Sequence, residues 1–584
     1  AVGARGRHDC GRRRLITARL RPPAAASARV RSGWGFQLSR AEGGCGLAVA
    51  SIGDAGLLAA WNAGCAHSEK IAVGDRVEQV NGCGTAASLL RAPPAGATVV
   101  VFSRAAGGQR PFQESSDLAY EEAAACFPAP GEGPDAGSAK YKDVEALEAC
   151  VLSGDVALLR GSWLCARALG GGTLPRRQEL PAGALWGADD LSAALRRGQR
   201  LPKRVSRCAR VPIVAVSYCW LARAHPDPQG AWMQLLGMLA FASLEHHRRV
   251  LGDRTFDLAV FVDWCSMYQE PRTDSQSVSF KRALKSAVIW FAHPMVEKWL
   301  LTKLPHDCDG PQYDERGWPS FERMLASMTT RQDSILDLGL VPYNLAWSSD
   351  IFEDSEGGAA NEFVCDAVTG RCMTWPDISR ASQGGRVPPV GPELFGEELA
   401  GKAWGRRAAL PLARKMYALA YAEAMEGAEE LHVQQCRWRA EQVLVLSRAL
   451  PGLRGLRVLN VQHNLVDDEG AEHLAAVLPA CCQLQCLLLG HNRIDDLGAA
   501  SLAAALPLCP RLSHVVLGQN CMGDPGAEAL AAVLRTCLSL VHLDVSSNCV
   551  SERAKPRVAK AWQEAGKPLE RRSGWLRSAL GLWL

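Results

Sequence analysis

Apolar and polar positions repeat most regularly in the last quarter of the chain. The pattern L-x-x-L-x-[LV]-x-x-N occurs four times, with its asparagines at the equally spaced positions 464, 492, 520 and 548. An Asp-x-Gly start and an Ala/Leu-rich segment follow each of the first three copies. A degenerate copy with Leu431, Val433 and Cys436 lies one such interval earlier. The pattern predicts strand–helix repeats over residues 428–563, with leucines in a shared core and each asparagine bonded to the backbone of its turn.

A different pattern occupies residues 141–426, where apolar runs rich in β-branched residues alternate with longer helical segments. Predicted strands cover Ile213 to Val216, Phe256 to Val262 and Val296 to Thr302. Predicted helices cover Tyr141 to Leu159, Trp232 to Leu251, Val278 to Phe291, and the segment from Arg316 through Met328. This alternation predicts a parallel, doubly wound α/β sheet with right-handed crossovers. The first two strands end in polar and aromatic residues, and functional loops of such a sheet lie at those ends.

The remaining segments differ in composition. Between Arg31 and Arg104 (31–104), short strand-like runs alternate with glycine turns, which predicts a small β domain. Residues 105–140 are rich in Gly, Pro, Glu and Ser, a composition typical of a linker. Residues 1–30 are rich in arginine and poor in acids, which predicts a disordered or targeting segment, with a chain fragment as the alternative. The apolar tail, 564–584, is predicted to dock on the preceding domain in preference to a membrane surface.

Composition narrows the class of protein. The length of 584 residues, with 48% hydrophobic and 22% charged residues, predicts three or four folded domains. A net charge of +4 gives no indication of a nucleic-acid partner. The 21 cysteines include no C-x-x-C pair, which predicts reduced thiols, no metal site and a cytoplasmic location, with a nuclear or organellar one as the alternative. The apolar run from Ala231 to Leu244 is too short to span a bilayer, so no transmembrane segment is predicted.

The C-terminal pattern resembles the ribonuclease-inhibitor class of leucine-rich repeats in its repeat length and its helix. The resemblance implies a solenoid whose strands leave one face open to a protein partner. The side chains predicted to bind a partner on that face are Asn460, Gln462, Leu488, His514, Val516, His542 and Asp544.

The segment 31–104 resembles a PDZ domain. The resemblance rests on Gly33-Trp34-Gly35-Phe36 in place of the carboxylate-binding loop, and on Gly74-Asp75-Arg76-Val77 and Val80-Asn81-Gly82. In PDZ domains, glycines let backbone N–H groups converge on a terminal carboxylate, and the next strand pairs with the peptide. The resemblance therefore implies peptide binding by residues 33–36. The helix that completes a PDZ groove is reduced here to residues 85–90, so an incomplete groove is the alternative.

Three landmarks of the central region resemble the HET domain of fungal heterokaryon incompatibility proteins, a relative of TIR domains. They are Ser217-Tyr218-Cys219-Trp220 at a strand end, Asp263 with Gln269, and Arg316-Gly317-Trp318 followed by Glu322. The sequence departs from the family at Cys265, which stands one residue early, and at Pro319.

Active relatives cleave NAD with a helix-borne glutamate. The resemblance thus implies a catalytic role for Glu322, with Ser217, Tyr218 and Asp263 lining the NAD site. A structural role is the alternative. In that case Glu322 pairs with Arg316 or with Arg323, Tyr218 closes the sheet edge and Asp263 caps the following turn.

These patterns together predict a multidomain α+β and α/β protein. It has a small PDZ-like β domain, a central doubly wound HET/TIR-like α/β domain and a leucine-rich-repeat solenoid. The predicted function is that of an intracellular signalling adaptor that binds protein partners through its two terminal modules. The alternative is an enzyme, an NAD glycohydrolase regulated by those modules, for which NAD is a substrate and not a resident cofactor.

Overall fold

The computed structural model describes residues 143–202, 207–305, 308, 310–341 and 372–568, and outside these ranges only short β-strands. The chain divides into two compact units, which are described separately. One contains Ala1–Glu114, Ala222–His225 and Pro305–Gly310, and the other contains Ser115–Leu221, Pro226–Leu304 and Pro311–Leu584. Apart from Ala105, the predicted linker lies outside the described residues.

The first unit contains an antiparallel sheet. Its strands are β1 (Asp9–Cys10), β2 (Arg13–Leu20), β3 (Phe36–Arg40), β4 (Leu47–Ile52), β5 (Arg76–Val80) and β6 (Thr98–Ala105). They are arranged in the order β1–β2–β6–β5–β4–β3. Strands β3 to β6 lie within residues 31–104, where the sequence predicts short strands. Strand β2 lies where the sequence predicted a disordered or targeting segment, and all eight of its residues pair with β6.

The second unit begins with a mostly parallel sheet. Its strands are β7 (Leu159–Arg160), β8 (Ile213–Ser217), β9 (Ala259–Phe261), β10 (Glu297–Leu300) and β11 (Ile335–Asp337), in the order β11–β10–β8–β9–β7. Strands β8 to β11 run parallel, as the alternating pattern predicts, whereas β7 pairs with β9 antiparallel. Strand β7 also corrects the prediction of a single helix from Tyr141 to Leu159. That helix ends at Leu152, because Gly154 adopts a left-handed φ of 70°.

Helices cover both faces of this sheet. They are α1 (Val144–Leu152), α2 (Gly161–Leu169), α3 (Ala188–Gln199), α4 (Arg207–Arg210), α5 (Ala231–Leu251), α6 (Asp263–Ser266), α7 (Asp274–Ala292) and α8 (Gly317–Thr329). All five residues of β8 are buried, and of its apolar residues Ile213 and Ala215 join the hydrophobic cluster that contains α7 and α8. Successive strand residues point to opposite faces, so Val214 and Val216 point away from that cluster.

Local sequence explains where the longest helix begins and ends. The first N–H groups of a helix have no partner within it. The Asp227 carboxylate accepts hydrogen bonds from the N–H groups of Trp232 and Met233, both at 3.0 Å, and so holds the start of α5. Gly252, at a φ of 64°, ends the helix in the left-handed conformation that glycine adopts without strain.

A small antiparallel sheet and three helices connect this region to the repeats. The elements are β12 (Leu345–Trp347), β13 (Val364–Asp366), β14 (Cys372–Met373), α9 (Trp375–Ala381), α10 (Pro392–Ala400) and α11 (Ala409–Tyr421). A π-helical turn, Ala422–Glu426, follows α11. Short 3-10 helices in the second unit lie at Arg177–Glu179, Ala182–Ala184, Tyr313–Glu315, Gln332–Ser334, Leu338–Leu340, Leu450–Gly452, Leu478–Ala480 and Leu506–Leu508.

The repeats form a second parallel sheet backed by helices. Its strands are β15 (Glu430–His432), β16 (Val458–Asn460), β17 (Cys486–Leu488), β18 (His514–Val516) and β19 (His542–Asp544). The helices are α12 (Ala440–Ala449), α13 (Asp468–Val477), α14 (Asp496–Ala505), α15 (Asp524–Val533) and α16 (Lys555–Glu564). Neighbouring strands pair one repeat apart, for example Leu459 with Leu487. In the tail lie β20 (Arg571–Arg572), β21 (Ala579–Leu580) and β22 (Leu582–Trp583), and β22 pairs parallel with β19.

The repeated asparagines form the predicted ladder. Asn492 donates to the carbonyl oxygens of Val461 (3.0 Å) and Leu489 (2.9 Å) and accepts from the N–H of Val466 (3.1 Å). Equivalent bonds are made by Asn464, Asn520 and Asn548. Each side chain therefore satisfies buried backbone groups of its own repeat and of the one before it.

A second ladder, of aspartates at the helix starts, has no counterpart in the sequence predictions. Asp496 accepts from the N–H groups of Gly523 and Gly526, both at 2.8 Å, in the next repeat. Asp468 and Asp524 make the corresponding bonds one repeat before and one repeat after. Aspartate carboxylates there also complement the partial positive charge of a helix N-terminus.

The central region and the repeats share one hydrophobic core. Buried residues of α8, such as Leu325 and Met328, belong to the same cluster as Leu431 and Val433 of the first repeat. Arg386, which is buried, crosses the junction and donates to the carbonyl oxygens of Ser327 and of His432.

Candidate functional site

Three polar side chains meet where β8 ends. Ser217, fully buried, donates from Oγ to Oε2 of Glu322 at 2.5 Å, and its Oγ lies 2.6 Å from the hydroxyl of Tyr313. Tyr313 is buried and lies in the 3-10 turn just before α8. The sequence patterns predicted no role for Tyr313, although it stands just ahead of the Arg316 landmark. The structure thus brings predicted residues Ser217 and Glu322 into direct contact and adds a tyrosine to them.

The start of α8 fixes the position of Glu322. Gly317 opens the helix, and a Cβ at this position would lie 2.2 Å from the ring of Trp404, so only glycine permits that contact. The Gly317 N–H also bonds the carbonyl oxygen of Ala403 at 3.0 Å. Pro319, one departure from the resembling family, lies in the first turn of the helix, where a missing N–H removes no internal hydrogen bond.

A second polar group surrounds Asp263 at the end of β9. Tyr218 donates its hydroxyl to Oδ1 at 2.7 Å, and Trp220 donates its indole N–H to Oδ2 at 3.2 Å. The backbone N–H of Trp264 donates to Oδ1 at 2.6 Å. Gln269 holds the same loop by donating to the carbonyl oxygen of Asp263 at 3.2 Å. Asp263 therefore binds the aromatic residues of the neighbouring strand end and the N–H of the next residue. The helix begins at Asp263 itself and has no side-chain cap, so the structure does not show the predicted capping role.

The carboxyl groups of Glu322 and Asp263 differ in how strongly their surroundings stabilise the ionised form. Burial raises the pKa of Glu322 well above its usual value, and the nearby Asp263 raises this pKa further, against the bond from Ser217. Burial also raises the pKa of Asp263, but three hydrogen bonds oppose that shift. Of the two carboxyl groups, Glu322 therefore holds a proton more readily, and Asp263 carries a negative charge more readily.

This arrangement suits reactions in which a proton is transferred or a positive charge develops. A glutamic acid with a raised pKa can hold a proton and pass it to a nearby group. A carboxylate close to a reacting sugar can also stabilise positive charge that develops on it. Glu322 is half-buried and so keeps part of its surface accessible.

The predicted alternative partners of Glu322 are occupied elsewhere. Arg316 donates to the carbonyl oxygens of Trp220 (2.6 Å) and Pro311 (2.8 Å). Arg323 pairs with Asp314 at 2.9 Å and donates to the carbonyl oxygen of Gly385 at 3.0 Å. The interpretation that Glu322 pairs with one of these arginines is therefore wrong.

We call one side of the repeat sheet the open strand face. It consists of the residues of β15 to β19 whose side chains alternate away from the leucine core, together with residues 434, 462, 490, 518 and 546. The predicted partner-binding residues lie on this face. Gln462, Leu488, His514, Val516 and Asp544 are partly exposed on it. Asn460 and His542 are buried, which corrects their prediction as exposed contacts. Asn460 turns back to accept from the N–H of Gln462 at 3.0 Å, and the ring of His542 lies 5.6 Å from the ring of His514.

The predicted peptide-binding residues and the membrane prediction concern neither the two polar groups nor the open strand face. Gly33, Trp34 and Gly35 lie outside the described residues, and of Phe36 only the backbone is described, as the first residue of β3. Within the described ranges, no helix has the length and apolar character needed to cross a bilayer.

Comparison with known proteins identifies the C-terminal region. A family model described as Leucine Rich repeat matches residues 454–475, 480–503 and 509–531. A solved structure of the leiomodin-1 actin-binding site 2 is similar over 24% of this chain and 78% of its own length, with 20% identity and a TM-score of 0.22. An internalin from Listeria monocytogenes is similar over 22% of this chain and 38% of its own, with 18% identity and a TM-score of 0.16. No curated protein matches the chain. The C-terminal region is therefore a leucine-rich-repeat domain.

Proposed function

We propose that this protein is an adaptor that binds a protein partner on the open strand face of its leucine-rich repeats. The observation that carries the proposal is the chemistry of that face. Apolar Leu488 and Val516 lie next to each other in register, with polar Asp544 on one side. On the other side, beyond the buried Asn460, lies polar His432. All of these except Asn460 are partly exposed. Protein-binding surfaces combine apolar contacts with polar groups in this way. A cytoplasmic location is part of the proposal and is supported by the free thiols of the described cysteines.

A library of displayed protein fragments from the source organism tests this proposal. Binders selected on the whole chain are measured by calorimetry against the wild type and the double variant Leu488→Arg, Val516→Arg. Leu497→Arg is the matched control, because Leu497 is 74% exposed on helix α14, away from the strands. The double variant is expected to bind at least about tenfold more weakly, since two bulky charges must be desolvated at the interface. Equal affinities for both variants would refute the proposed surface.

We also propose that the central region is HET/TIR-like and cleaves NAD, as a second function. The position of Glu322 at the strand ends, in contact with Ser217 and close to Asp263, supports this proposal. In the reaction the bond between nicotinamide and ribose breaks, water supplies the hydroxyl that replaces it, and one proton is released. Glu322 would stabilise the positive charge that develops on the ribose.

Nicotinamide release from NAD tests this second function. The whole chain is assayed alone and clustered by a fused oligomerising tag, beside Glu322→Gln and the control Glu297→Gln. Glu297 is another buried glutamate, bonded to Trp299 at 2.8 Å, and its loss is expected to leave release unchanged. Release by the wild type that Glu322→Gln reduces at least about 100-fold supports the proposal. Equal release by wild type and Glu322→Gln, or none in either state, excludes it.

The PDZ-like assignment of residues 31–104 is a further proposal. Its support is the position of β3 at one end of the first sheet, where a peptide strand can add to the described strands. An array of peptide C-termini, probed with the wild type and with Gly35→Val, tests it. Binding that requires a free terminal carboxylate and is lost in the variant is expected; binding unchanged by Gly35→Val would remove the assignment.

A further inference from the structure

Three side chains at the end of β8, those of Tyr313, Ser217 and Glu322, form a hydrogen-bonded series that we call the hydroxyl network. Ser217 donates from Oγ to Oε2 of Glu322 at 2.5 Å, and its Oγ lies 2.6 Å from the hydroxyl oxygen of Tyr313. A serine hydroxyl has one proton to donate and two lone pairs that accept. Because Ser217 uses its proton on Glu322, the tyrosine donates the other bond. The hydrogen bonds thus run from Tyr313 through Ser217 to Glu322.

The opposite direction would leave the tyrosine proton without an acceptor. If Glu322 donated to Ser217, Ser217 would donate to Tyr313, whose own proton would then need a further acceptor. Within the part of the chain that the structure describes, the Tyr313 hydroxyl bonds only to Ser217. Both side chains are buried, Tyr313 at 1% exposure, so water does not replace the missing acceptor. A buried donor without an acceptor costs free energy, so the direction is the same whether Glu322 is protonated or ionised.

Tyr313 is held in position to donate. Burial raises the pKa of its phenol well above the usual value, and the nearby Glu322 raises this pKa further, so the hydroxyl keeps its proton. Tyr313 opens a 3-10 turn that ends at Glu315, whose carbonyl oxygen accepts from the N–H of Ala403 at 2.7 Å. The turn leads directly into α8, which carries Glu322. The tyrosine and the carboxyl group therefore belong to one continuous, braced segment, and β8 supplies the serine between them.

The network gives the two oxygens of Glu322 different roles. Oε2 accepts from Ser217 in both protonation states. Oε1 makes no hydrogen bond with any residue that the structure describes, and the side chain keeps part of its surface accessible. A proton on this carboxyl group therefore resides on Oε1. In the ionised group, Oε1 is the oxygen that is free to approach a developing positive charge.

We propose that Tyr313 is a positioning residue which, through Ser217, fixes Oε2 of Glu322 as the buried acceptor and leaves Oε1 free for a bound substrate. Tyr313 itself touches no substrate in this role. The class of substrate rests on the second proposed function, NAD cleavage. The role of Tyr313 deepens that function by naming the oxygen that meets the ribose.

The titratable groups around Glu322 come from the ends of β8 and β9 and from the turn before α8. Among the described residues they are Tyr218, Cys219, Asp263 and Tyr313. Burial raises the pKa of Tyr218, Cys219 and Tyr313, so these three stay neutral near pH 7. Loss of the Tyr313 hydroxyl therefore changes no charge near Glu322. A change in the titration of Glu322 is then transmitted through the hydrogen bonds.

The titration of Glu322 tests the proposal without any substrate. The whole chain, labelled with ¹³C at its glutamate carboxyl groups, is titrated by NMR, and the Glu322 signal is identified by its absence in Glu322→Gln. Tyr313→Phe and Ser217→Ala each remove one hydroxyl of the network, and Tyr417→Phe is the matched control. Tyr417 is also 1% exposed, and its hydroxyl donates to the carbonyl oxygen of Val390 at 2.6 Å.

The three variants are expected to differ in order. Ser217→Ala removes the bond that stabilises the ionised carboxylate, so it should raise the pKa of Glu322 most. Tyr313→Phe should raise this pKa by less, because a serine hydroxyl that accepts a hydrogen bond donates a stronger one, and that strengthening is lost. Tyr417→Phe should titrate as the wild type does. The proposal is overturned if Tyr313→Phe moves the titration no more than Tyr417→Phe does, or if Ser217→Ala leaves it unchanged.

Nicotinamide release from NAD gives a second measurement. Glu322 acts there in its ionised form, so a higher pKa lowers kcat at pH 7 and has less effect as pH rises. Tyr313→Phe is expected to lower kcat about three- to tenfold at pH 7, with little change in KM and a smaller loss at pH 9. An equal loss at every pH would indicate a structural role only and would overturn the proposal. If the wild type releases no nicotinamide, the NMR titration still decides on Tyr313, so the two failures are distinguishable.

Discussion

The repeats and the central polar cluster, which is made of Ser217, Tyr218, Asp263, Tyr313 and Glu322, satisfy their buried polar groups in opposite ways. In the repeats, Asn492 bonds only backbone groups, the most distant of which is 31 residues away. In the central cluster, Ser217 bonds the side chains of Tyr313 and Glu322, 96 and 105 residues away. The Asn492 ladder places no ionisable group in a low-dielectric environment, whereas the central cluster holds two carboxyl groups whose pKa values are both raised.

The difference separates groups that hold the fold from groups that can take part in a reaction. A neutral amide bonded to backbone groups holds the chain in place at every pH at which the protein folds. A buried carboxyl group costs free energy when it ionises, and natural proteins retain such groups mostly where they have a function. Four predictions, taken from the largest expected effect to the smallest, test whether the two regions behave so differently.

The largest effect is expected from the core of the repeats. Leu487→Ala removes a fully buried side chain of β17 and leaves a cavity, so it is expected to lower the free energy of unfolding by about 2–5 kcal/mol. Leu497→Ala is the control, because that leucine is 74% exposed, and a change of less than about 0.5 kcal/mol is expected. Urea titration followed by circular dichroism measures both. Equal losses would show that the leucine pattern does not define the core.

Loss of a ladder asparagine should cost less. Asn492→Ala leaves buried backbone groups unpaired, and a loss of about 1–3 kcal/mol is expected. Asn548→Ala should cost less than this, because Asn548 is half-buried and water can replace part of its bonds. The same urea titration measures both variants. A greater loss at Asn548 would contradict the view that burial determines how much each ladder asparagine contributes to the free energy of unfolding.

Substitution of Glu322 in the central cluster should raise the stability of the protein, whereas the substitutions in the repeats lower it. The pKa of Glu322 is raised in the folded state, so its contribution to stability is present at low pH and is lost as pH rises through that folded-state pKa. Glu322→Gln keeps an acceptor for Ser217 but cannot ionise. The variant is expected to have the higher melting temperature at pH 8, and the difference should disappear towards pH 4. A variant less stable than the wild type at pH 8 would show that the ionised carboxylate supports the fold.

The smallest effects are expected from ion pairs at the surface, and here too the regions should differ. In the central region, Arg282 bonds the buried Asp155 through two contacts of 2.7 Å and lowers its pKa. The stability that this lowered pKa provides is present above the usual aspartate range and is lost as pH falls through the lowered value. Arg282→Ala is therefore expected to destabilise the protein at pH 7, and less at pH 3.

The matched pair in the repeats is Arg535 with Glu564, whose side chains are 70% and 44% exposed. Arg535→Ala is expected to change the free energy of unfolding by at most about 1 kcal/mol, since water screens the pair. Thermal unfolding at pH 7 and pH 3 measures both arginine variants. A pH-independent loss for Arg282→Ala, equal to that for Arg535→Ala, would show that burial of Asp155 has no effect.

Sequence patterns anticipated the two regions to different degrees. In the repeats, the constant spacing placed each strand and each asparagine correctly. Each position of the repeat recurs several times in the sequence, and strands of adjacent repeats pair with each other. In the central region, the strand ends at Ser217 and Asp263 were found from apolar runs. Tyr313 was missed, because it occurs once and its partners lie far away in the chain.

The ends of the repeat array have a consequence for how such an array can lengthen by duplication. At one end, Trp438 donates its indole N–H to the carbonyl oxygen of Arg386 at 3.1 Å, and Arg386 bonds His432 of the first strand. At the other end, β22 covers the edge of β19. One whole repeat copied between these ends reproduces contacts that already exist on both of its sides. A repeat added outside them would need a new edge, so we expect longer versions of this array to differ in their middle.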